Sequence, residues 1–422
     1  MTTMTTTPAP APARAPRSVW ERYRWLLVAL AALAAVSAVR LITGADEITS
    51  RGSLDAAIQA TCPILLAALG GLWAERAGVV NIGLEGQMIL GTWGAAYFTY
   101  WYGPVYGILG AILLGALGGL IHAIATVGFG VDHIVSGVAI NLIGLGLASF
   151  LSEAFFKDLN SDRGRGGPNK LTGIDHPPKF TIPGVSDALS DLADKHWFMV
   201  SDVAALGAAL TKDLSLMTVL TGVLVVVTAF VLWHTTFGLR LRSCGENPHA
   251  AESLGVRVLR YKYAAVIISG GFAGLGGGYL ALVAANGFSE NQTNGRGYIG
   301  LAAMIFGNWR PGGLLVGSGM FGYTDSLRLR DPSTVHALLL LVAIGLFVYA
   351  ALRARRGQVR AASVLGVAGL AFLAWFALTD EVPTDFTSMT PYVATLLVLA
   401  FSAQRLRMPA ADGQVYRKGT VG

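Results

Sequence analysis

The chain has 422 residues, of which 53% are hydrophobic and 13% charged, against about 25% charged in soluble domains. That balance reads as a membrane protein. Its formal net charge is +6, but Arg and Lys gather beside the ends of apolar runs and form no basic stripe with interleaved aromatics, which argues against a nucleic-acid partner.

Met1–Pro16 is a Thr/Ala/Pro stretch with too few large apolar side chains to fold, and with Arg14, Arg17, Arg22 and Arg24 it makes residues 1–24 a disordered cytoplasmic tail in this reading. The following run, Trp25–Val39, also fits a signal peptide with Val36-Ser37-Ala38 as its small-residue site; an uncleaved first span is the reading taken. With this basic tail in the cytoplasm, Asp46 and Glu47 fall outside. Leu54–Trp73 then returns to Glu75 and Arg76, and Gln87–Tyr102 leaves through an aromatic belt of Tyr97, Tyr100, Trp101 and Tyr102. Val105–Val127 and Ile134–Phe156 complete an N-terminal membrane half, 25–156, each run long enough to cross a bilayer. Asp132 and His133 make a turn between them, and His122 reads as structural.

An extracytoplasmic insert, 157–213, is rich in Gly, Pro, Asp and Lys, with a short amphipathic helix expected inside Asp187–Val203. The C-terminal half, 214–334, runs through Leu214–Trp233, a polar loop at 235–262, Tyr263–Leu282, and the Asn-rich loop Asn286–Gly297. Two short pieces follow, Tyr298–Phe306 and Leu314–Ser326, divided by Asn308-Trp309-Arg310-Pro311-Gly312-Gly313; the first is too short to span and is expected to enter part-way as a broken helix. Arg328 and Arg330 then fall outside, the one misfit with the charge rule. Residues 335–378 add a pair of spans, Ala337–Leu352 and Ala361–Leu378. Residues 379–422 hold the last span, Tyr392–Ala403, and a tail that returns to the cytoplasm, so both termini lie inside.

The polar loop carries a compact helix signal: Asn247 suits the N-cap, Pro248 the first helical position and Gly255 the C′ position. Isolated helices need roughly 12–15 residues to persist in water, so a helix over His249–Leu254 needs something to dock against. A second signal is the likeness of Gly83–Gly91 (GLEGQMILG) to Gly300–Gly307 (GLAAMIFG), which start from opposite sides on this topology. That is the pattern of inverted repeats whose broken helices meet near the midplane, although chance likeness between Gly-rich apolar runs explains it too. The fold expected is an all-α polytopic membrane protein of about 10–12 spans, broken or re-entrant ones included, in two inverted halves.

No Walker A pattern, H-E-x-x-H or Cys/His cluster occurs, and Cys62 and Cys244 have no metal-ligand spacing, so neither metal nor cofactor is implied and the chain reads as a pathway. Polar residues within or beside apolar runs are the candidates for lining it, since burying them in a bilayer is costly: Asn81, Glu85, Gln87, Asn141, Asn286 and Asn308. Glu85 has two readings, a ligand for a hydroxylated substrate or a carboxylate held by free N–H groups at a broken helix start. For the asparagines, hydrogen bonding between helices is the alternative.

Three stretches, Ala74–Gly91 (AERAGVVNIGLEGQMILG), Phe237–Val256 (FGLRLRSCGENPHAAESLGV) and Leu301–Arg330, resemble membrane permeases of ABC importers. The closest group is the branched-chain amino acid and simple-sugar permease family in its nucleoside-type branch, to which the ending PYVATLLVLA with MPAADGQVYRKG is also similar. Across Leu54–Phe156, Met217–Arg330 and Pro391–Lys418 the resemblance covers most of the chain. It implies a type II importer-like permease without enzymatic activity of its own, in which Gly245–Gly255 is a coupling helix seated in a groove of a separate ABC ATPase. Gly245, Glu246, Asn247, Pro248, His249, Ala250, Glu252 and Gly255 would form that element. It also implies a second homologous permease, an extracytoplasmic substrate-binding lipoprotein and a nucleoside or nucleobase as cargo. The long insert and the extra pair of spans depart from the family pattern. Other substrates in the class are simple sugars and branched-chain amino acids. Outside it stand an ion-coupled secondary transporter, for which Glu85 is the one coupling candidate, and a membrane scaffold that moves nothing.

Overall fold

A computed structural model describes residues 19–161, 170–327, 332–383, 389 and 406–419. In chain order the helices are α1 (Val19–Thr43), α2 (Arg51–Arg76), α3 (Leu84–Tyr102), α4 (Pro104–Ala123), α5 (His133–Ser161), α6 (Val185–Ala193), α7 (Val200–Ala209), α8 (Leu216–His234), α9 (Thr236–Glu246), α10 (Pro248–Ser253), α11 (Val258–Tyr279), α12 (Arg296–Phe306), α13 (Pro311–Leu327), α14 (Pro332–Arg355) and α15 (Val359–Leu378). Single π turns, Ile124–Gly128 and Leu280–Ala284, close α4 and α11. Eight helices among the described residues are long and apolar enough to cross a membrane, and the protein is an all-α multi-pass membrane protein. The segments expected at Tyr392–Ala403 and at Arg328 and Arg330 lie outside the described residues.

Two buried helices, α2 and α11, form the axis. They cross antiparallel, Gly70 against the carbonyl of Ser269 and Pro63 against Gly276. Each then packs against the helix pair of the other half: α11 against α3 and α4, α2 against α12 and α13. This exchange gives the two halves one common core. Several of its close approaches are glycine on glycine. A Cβ on Gly115 would lie 2.3 Å from the Gly270 carbonyl, and one on Gly91 2.2 Å from the Gly274 carbonyl. Small residues let helix backbones touch in a solvent where lipid tails are as apolar as leucine.

Three elements differ from the sequence expectation. Helix α1 begins at Val19, inside the stretch expected to be a disordered tail, because Val19, Trp20 and Tyr23 extend the apolar run that follows. The insert holds two short helices, α6 and α7, because the chain turns between them at His196 and Met199, both at positive φ. Buried Asp202 on α7 accepts from Ser37 and from Thr49 Oγ1 and pairs with Arg40 Nε at 3.3 Å, fixing the insert to α1. Two short antiparallel pairings, β1 (Lys170–Thr172) with β4 (Gly287–Ser289) and β2 (Lys179–Phe180) with β3 (Leu214–Ser215), tie the insert to this same end of the bundle, the insert end. The polar loop is also more helical than expected. Thr235 Oγ1 accepts the Gly238 N–H and starts α9, an eleven-residue helix with Leu241 and Cys244 inward and Arg240 outward. The pair α14 and α15 forms a hairpin resting on α1, as an added layer outside the core.

Candidate functional site

The first candidate region lies inside the bundle, where two broken helices meet start to start. From Ala77 to Gly83 the chain turns back from the end of α2 and runs beside the first two turns of α5. There Val80 N–H donates to His133 Nδ1 at 3.2 Å and Gly83 packs on Ile140. The first N–H groups of α3 therefore lie inside the protein and need acceptors. Asn141 on α5 supplies one: its Oδ1 accepts the Gly86 N–H at 2.8 Å, while its Nδ2 donates to Ile82 O at 3.1 Å and to the Tyr298 hydroxyl at 2.9 Å. Asn81 and Gln87, both buried, bond each other through their amides at 2.9 and 3.2 Å, and Asn81 Nδ2 also donates to Ser269 Oγ.

Glu85 sits where the start of α3 meets the start of α12. Its Oε1 accepts from Thr293 Oγ1 at 2.6 Å and from the Gly295 N–H at 2.8 Å, and its Oε2 accepts from the Gly297 N–H at 2.7 Å. Two helix N-termini, each carrying partial positive charge, converge on one carboxylate. Gly297 is needed here because a Cβ would come within 2.6 Å of the Glu85 backbone. The structure thus brings Asn81, Glu85, Gln87 and Asn141 together, along with Ser269, Thr293 and Tyr298. Asn286 lies apart at the insert end, exposed and left-handed at φ 55°. Asn308 lies at the other end, also left-handed, with its Oδ1 accepting the Arg407 N–H at 2.7 Å.

The second region is that other end, called here the α10 end. Asn247 Oδ1 accepts the Ala250 N–H at 2.9 Å, Pro248 opens α10, and Gly255 at φ +81° lets Val256 N–H return to Ala251 O, closing it. Pro248 and Ala251 face inward. Glu246, Asn247 and Ala250 are exposed, and His249 and Glu252 half-buried. Gly245 faces the bundle, where a Cβ would meet the Arg76 carbonyl at 2.3 Å. At the tip stands Leu254, 86% exposed, a large apolar side chain that sequence reasoning passed over because its helical spacing alone does not say which face is free.

Beneath α10 lies a polar knot that the sequence did not announce. Glu75, buried at the end of α2, accepts from Trp309 Nε1 at 2.6 Å and faces the carboxyl of Asp412. Arg76 donates to the Trp309 carbonyl at 2.6 and 3.2 Å and lies 3.9 Å from Glu246. Lys262 Nζ donates to Gly78 O at 3.1 Å. Burial pushes the Asp412 carboxyl up to about 7 against the pull of Lys262 and Arg76, and burial pushes the Cys244 thiol up to about 11. In the sequence these charges look like ordinary solvated ends of spans; the Trp309 turn and the returning C-terminal segment bring them together. Both cysteines are free and buried, and no cluster of three or more metal-ligating residues occurs among the described residues.

Residues 53–351 match the family model described as the permease component of the branched-chain amino acid transport system. The chain is 33% identical over 365 residues to the guanosine ABC transporter permease protein NupQ of Bacillus subtilis, covering 85% of this chain and 93% of the relative. It is 32% identical over 363 residues to the nucleoside ABC transporter permease protein NupC of Lactococcus lactis, covering 84% and 93%. A putative glucose ABC transporter permease protein of Haloferax volcanii, TsgC13, is 35% identical over 292 residues, 68% of this chain and 80% of the relative. No solved structure matches the chain. Two crossed halves with paired broken helices, a capped surface helix and these alignments make the chain a member of the branched-chain amino acid transport permease family, a membrane permease component and not an enzyme.

Proposed function

We propose that this permease forms the membrane path for nucleosides or related nucleobases in an ATP-driven importer. The observation that carries the substrate class is the near full-length alignment with two permeases named for guanosine and nucleoside transport. In this reading the α10 end is cytoplasmic, both termini lie on that side, and the insert end faces outward to receive cargo from a substrate-binding lipoprotein. The second permease subunit, homologous to this one, completes the path.

Cargo enters past Asn286, moves beside Asn141, Tyr298 and Glu85 at the meeting of the broken helices, and leaves near Asn308. Asn81 and Gln87, closed on each other, hold the walls of that path. The supporting geometry is that the two α-helix starts bring polar groups to the interior of an otherwise apolar bundle, where irregular backbone is tolerated only if it is buried or lines a cavity. On the cytoplasmic side the exposed face of α10, Glu246, Asn247, His249, Ala250 and Glu252 with Leu254 at its tip, docks into the ATPase. Gly245, Pro248 and Gly255 hold that face in position.

Uptake of radiolabelled guanosine by cells with and without this chain tests the substrate, with other nucleosides, nucleobases, glucose and leucine as competitors. Competition by nucleosides supports the reading. Competition by glucose alone would favour the sugar reading, which has the haloarchaeal relative in its favour. In the same cells, Glu246→Ala with His249→Ala is expected to cut uptake at least tenfold and to lose the co-purifying ATPase, while membrane abundance stays unchanged. Uptake driven by an ion gradient without ATP would overturn the importer reading.

A further inference from the structure

The described C-terminal segment, residues 406–419, touches every element that the coupling reaction would have to connect. The Arg407 N–H donates to Asn308 Oδ1 at 2.7 Å, in the turn between α12 and α13. The Ala410 N–H reaches Glu246 Oε2 at 3.4 Å, and the Ala411 N–H donates to Gly245 O at 2.9 Å, at the junction of α9 and α10. Both carboxylate oxygens of Asp412 are buried beside the Glu75 carboxyl, and neither has a hydrogen-bond partner among the described residues. Tyr416 packs among Cys244, Ala251 and Val258, with its ring 5.3 Å from that of His249. A closed ring of contacts results: Glu246 to Arg76, Arg76 to Trp309, Trp309 to Glu75, Glu75 to Asp412, and Ala411 back to Gly245.

Two features give that ring mechanical meaning. Asn308 and Trp309 are both left-handed, at φ 54° and 52°. For a residue as bulky as Trp this conformation is costly and persists only when its surroundings over-determine it. The ring supplies those surroundings, through the Arg407 N–H on Asn308, Glu75 on the Trp309 indole and Arg76 on its carbonyl. From this turn α12 runs eleven residues, roughly 16 Å, to Tyr298 and the Glu85 cap. Two buried carboxyls side by side cannot both ionise without strong repulsion, so the Glu75–Asp412 pair sits most easily in the fold while Asp412 is neutral.

We propose that residues 406–419 are the strap by which α10 moves the Asn308–Trp309 turn and hence α12, with Glu75 and Asp412 as positioning residues where the strap meets α2. This rests on the reading of α10 as the ATPase dock. The charged groups around the pair are Arg76 on α2, Arg242 and Glu246 on α9, Lys262 on α11, Arg310 in the turn, and His133 beside Lys262. With its proton affinity raised by burial, Asp412 lends the strap a stabilisation that is complete below its ordinary value of 3.8 and is lost as pH rises through about 7.

The importer is purified through a tag on this chain and reconstituted in proteoliposomes, with the bound ATPase, ATP turnover and guanosine uptake all measured from pH 6 to 8. Asp412→Ala is expected to keep the ATPase bound while uptake per ATP falls at least tenfold. Asp412→Asn, which keeps a donor toward Glu75, is expected to retain uptake and to flatten its pH profile, whereas the parent loses coupling as pH rises through about 7. Asp412→Ala with normal uptake per ATP, or Asp412→Asn with the parent's pH profile, would overturn the proposal. So would loss of the ATPase from Asp412→Ala, since the segment would then be part of the dock. Leu254→Glu, at the exposed tip of α10, separates the two ideas: if that variant keeps the ATPase and full uptake, the docking reading fails, while the Asp412 variants still report on the strap. Should Asp412→Ala not reach the membrane, the Asp412→Asn pH profile decides alone.

Discussion

Glu85 and Glu75 are both carboxylates near α2 and α3, yet only one stood out in the sequence. Glu85 interrupts an apolar run and so carries a visible desolvation cost. Glu75 closes a run, where charges are normally solvated, and becomes buried only because Asp412 and Trp309 cover it. For Glu85 the two readings make different predictions. Truncation strands Thr293 Oγ1 and the N–H groups of Gly295 and Gly297, each costing about 1–3 kcal/mol when buried without a partner. Glu85→Ala is therefore expected to lower the melting temperature of the detergent-purified protein by several degrees, with Glu85→Gln in between. An unchanged melting temperature together with lost guanosine uptake would instead make the carboxylate a cargo ligand.

Helix α10 was the most legible element, because its signals are local: an Asx cap, a proline at the first turn and a glycine at the close. Helix α9 was not, since Gly238 and Gly245 interrupt its pattern and its outer face is basic. Its inward face is chosen by contact with α2 and α11, which no local window contains. A helix of six residues has little stability to spare. Asn247→Ala is expected to destabilise it locally by about 1 kcal/mol, seen as faster hydrogen exchange at Ala250 and Ala251, with Asn247→Ser restoring protection. Protection that does not change in Asn247→Ala would mean that the C-terminal segment, not the cap, holds α10 in place.

At the scale of the whole molecule, the two halves are held by exchanged pairs of helices meeting at glycines. A Cβ on Gly274 would stand 2.2 Å from the Ala111 carbonyl, with α3 equally close on its other side through Gly91. Neither backbone can yield without opening the core. Gly274→Val is expected to abolish the monodisperse peak of detergent-solubilised protein, whereas Gly366→Val on α15, where a Cβ meets nothing within 4 Å, leaves it intact. Equal behaviour of the two variants would show that the crossing tolerates a wider spacing.

The sequence by itself determined the membrane class, most of the spans, the break at Asn308–Trp309 and the capped surface helix. Each depends on hydrophobic run length or on chemistry within a few residues. The tertiary structure alone decided which polar groups are buried together. Glu85 reaches across about two hundred residues to cap α12, and Glu75 meets Asp412 from the far end of the chain. Such partners are brought together by the packing of α2 against α11 and by the return of residues 406–419, and proximity of that kind leaves no periodicity to read.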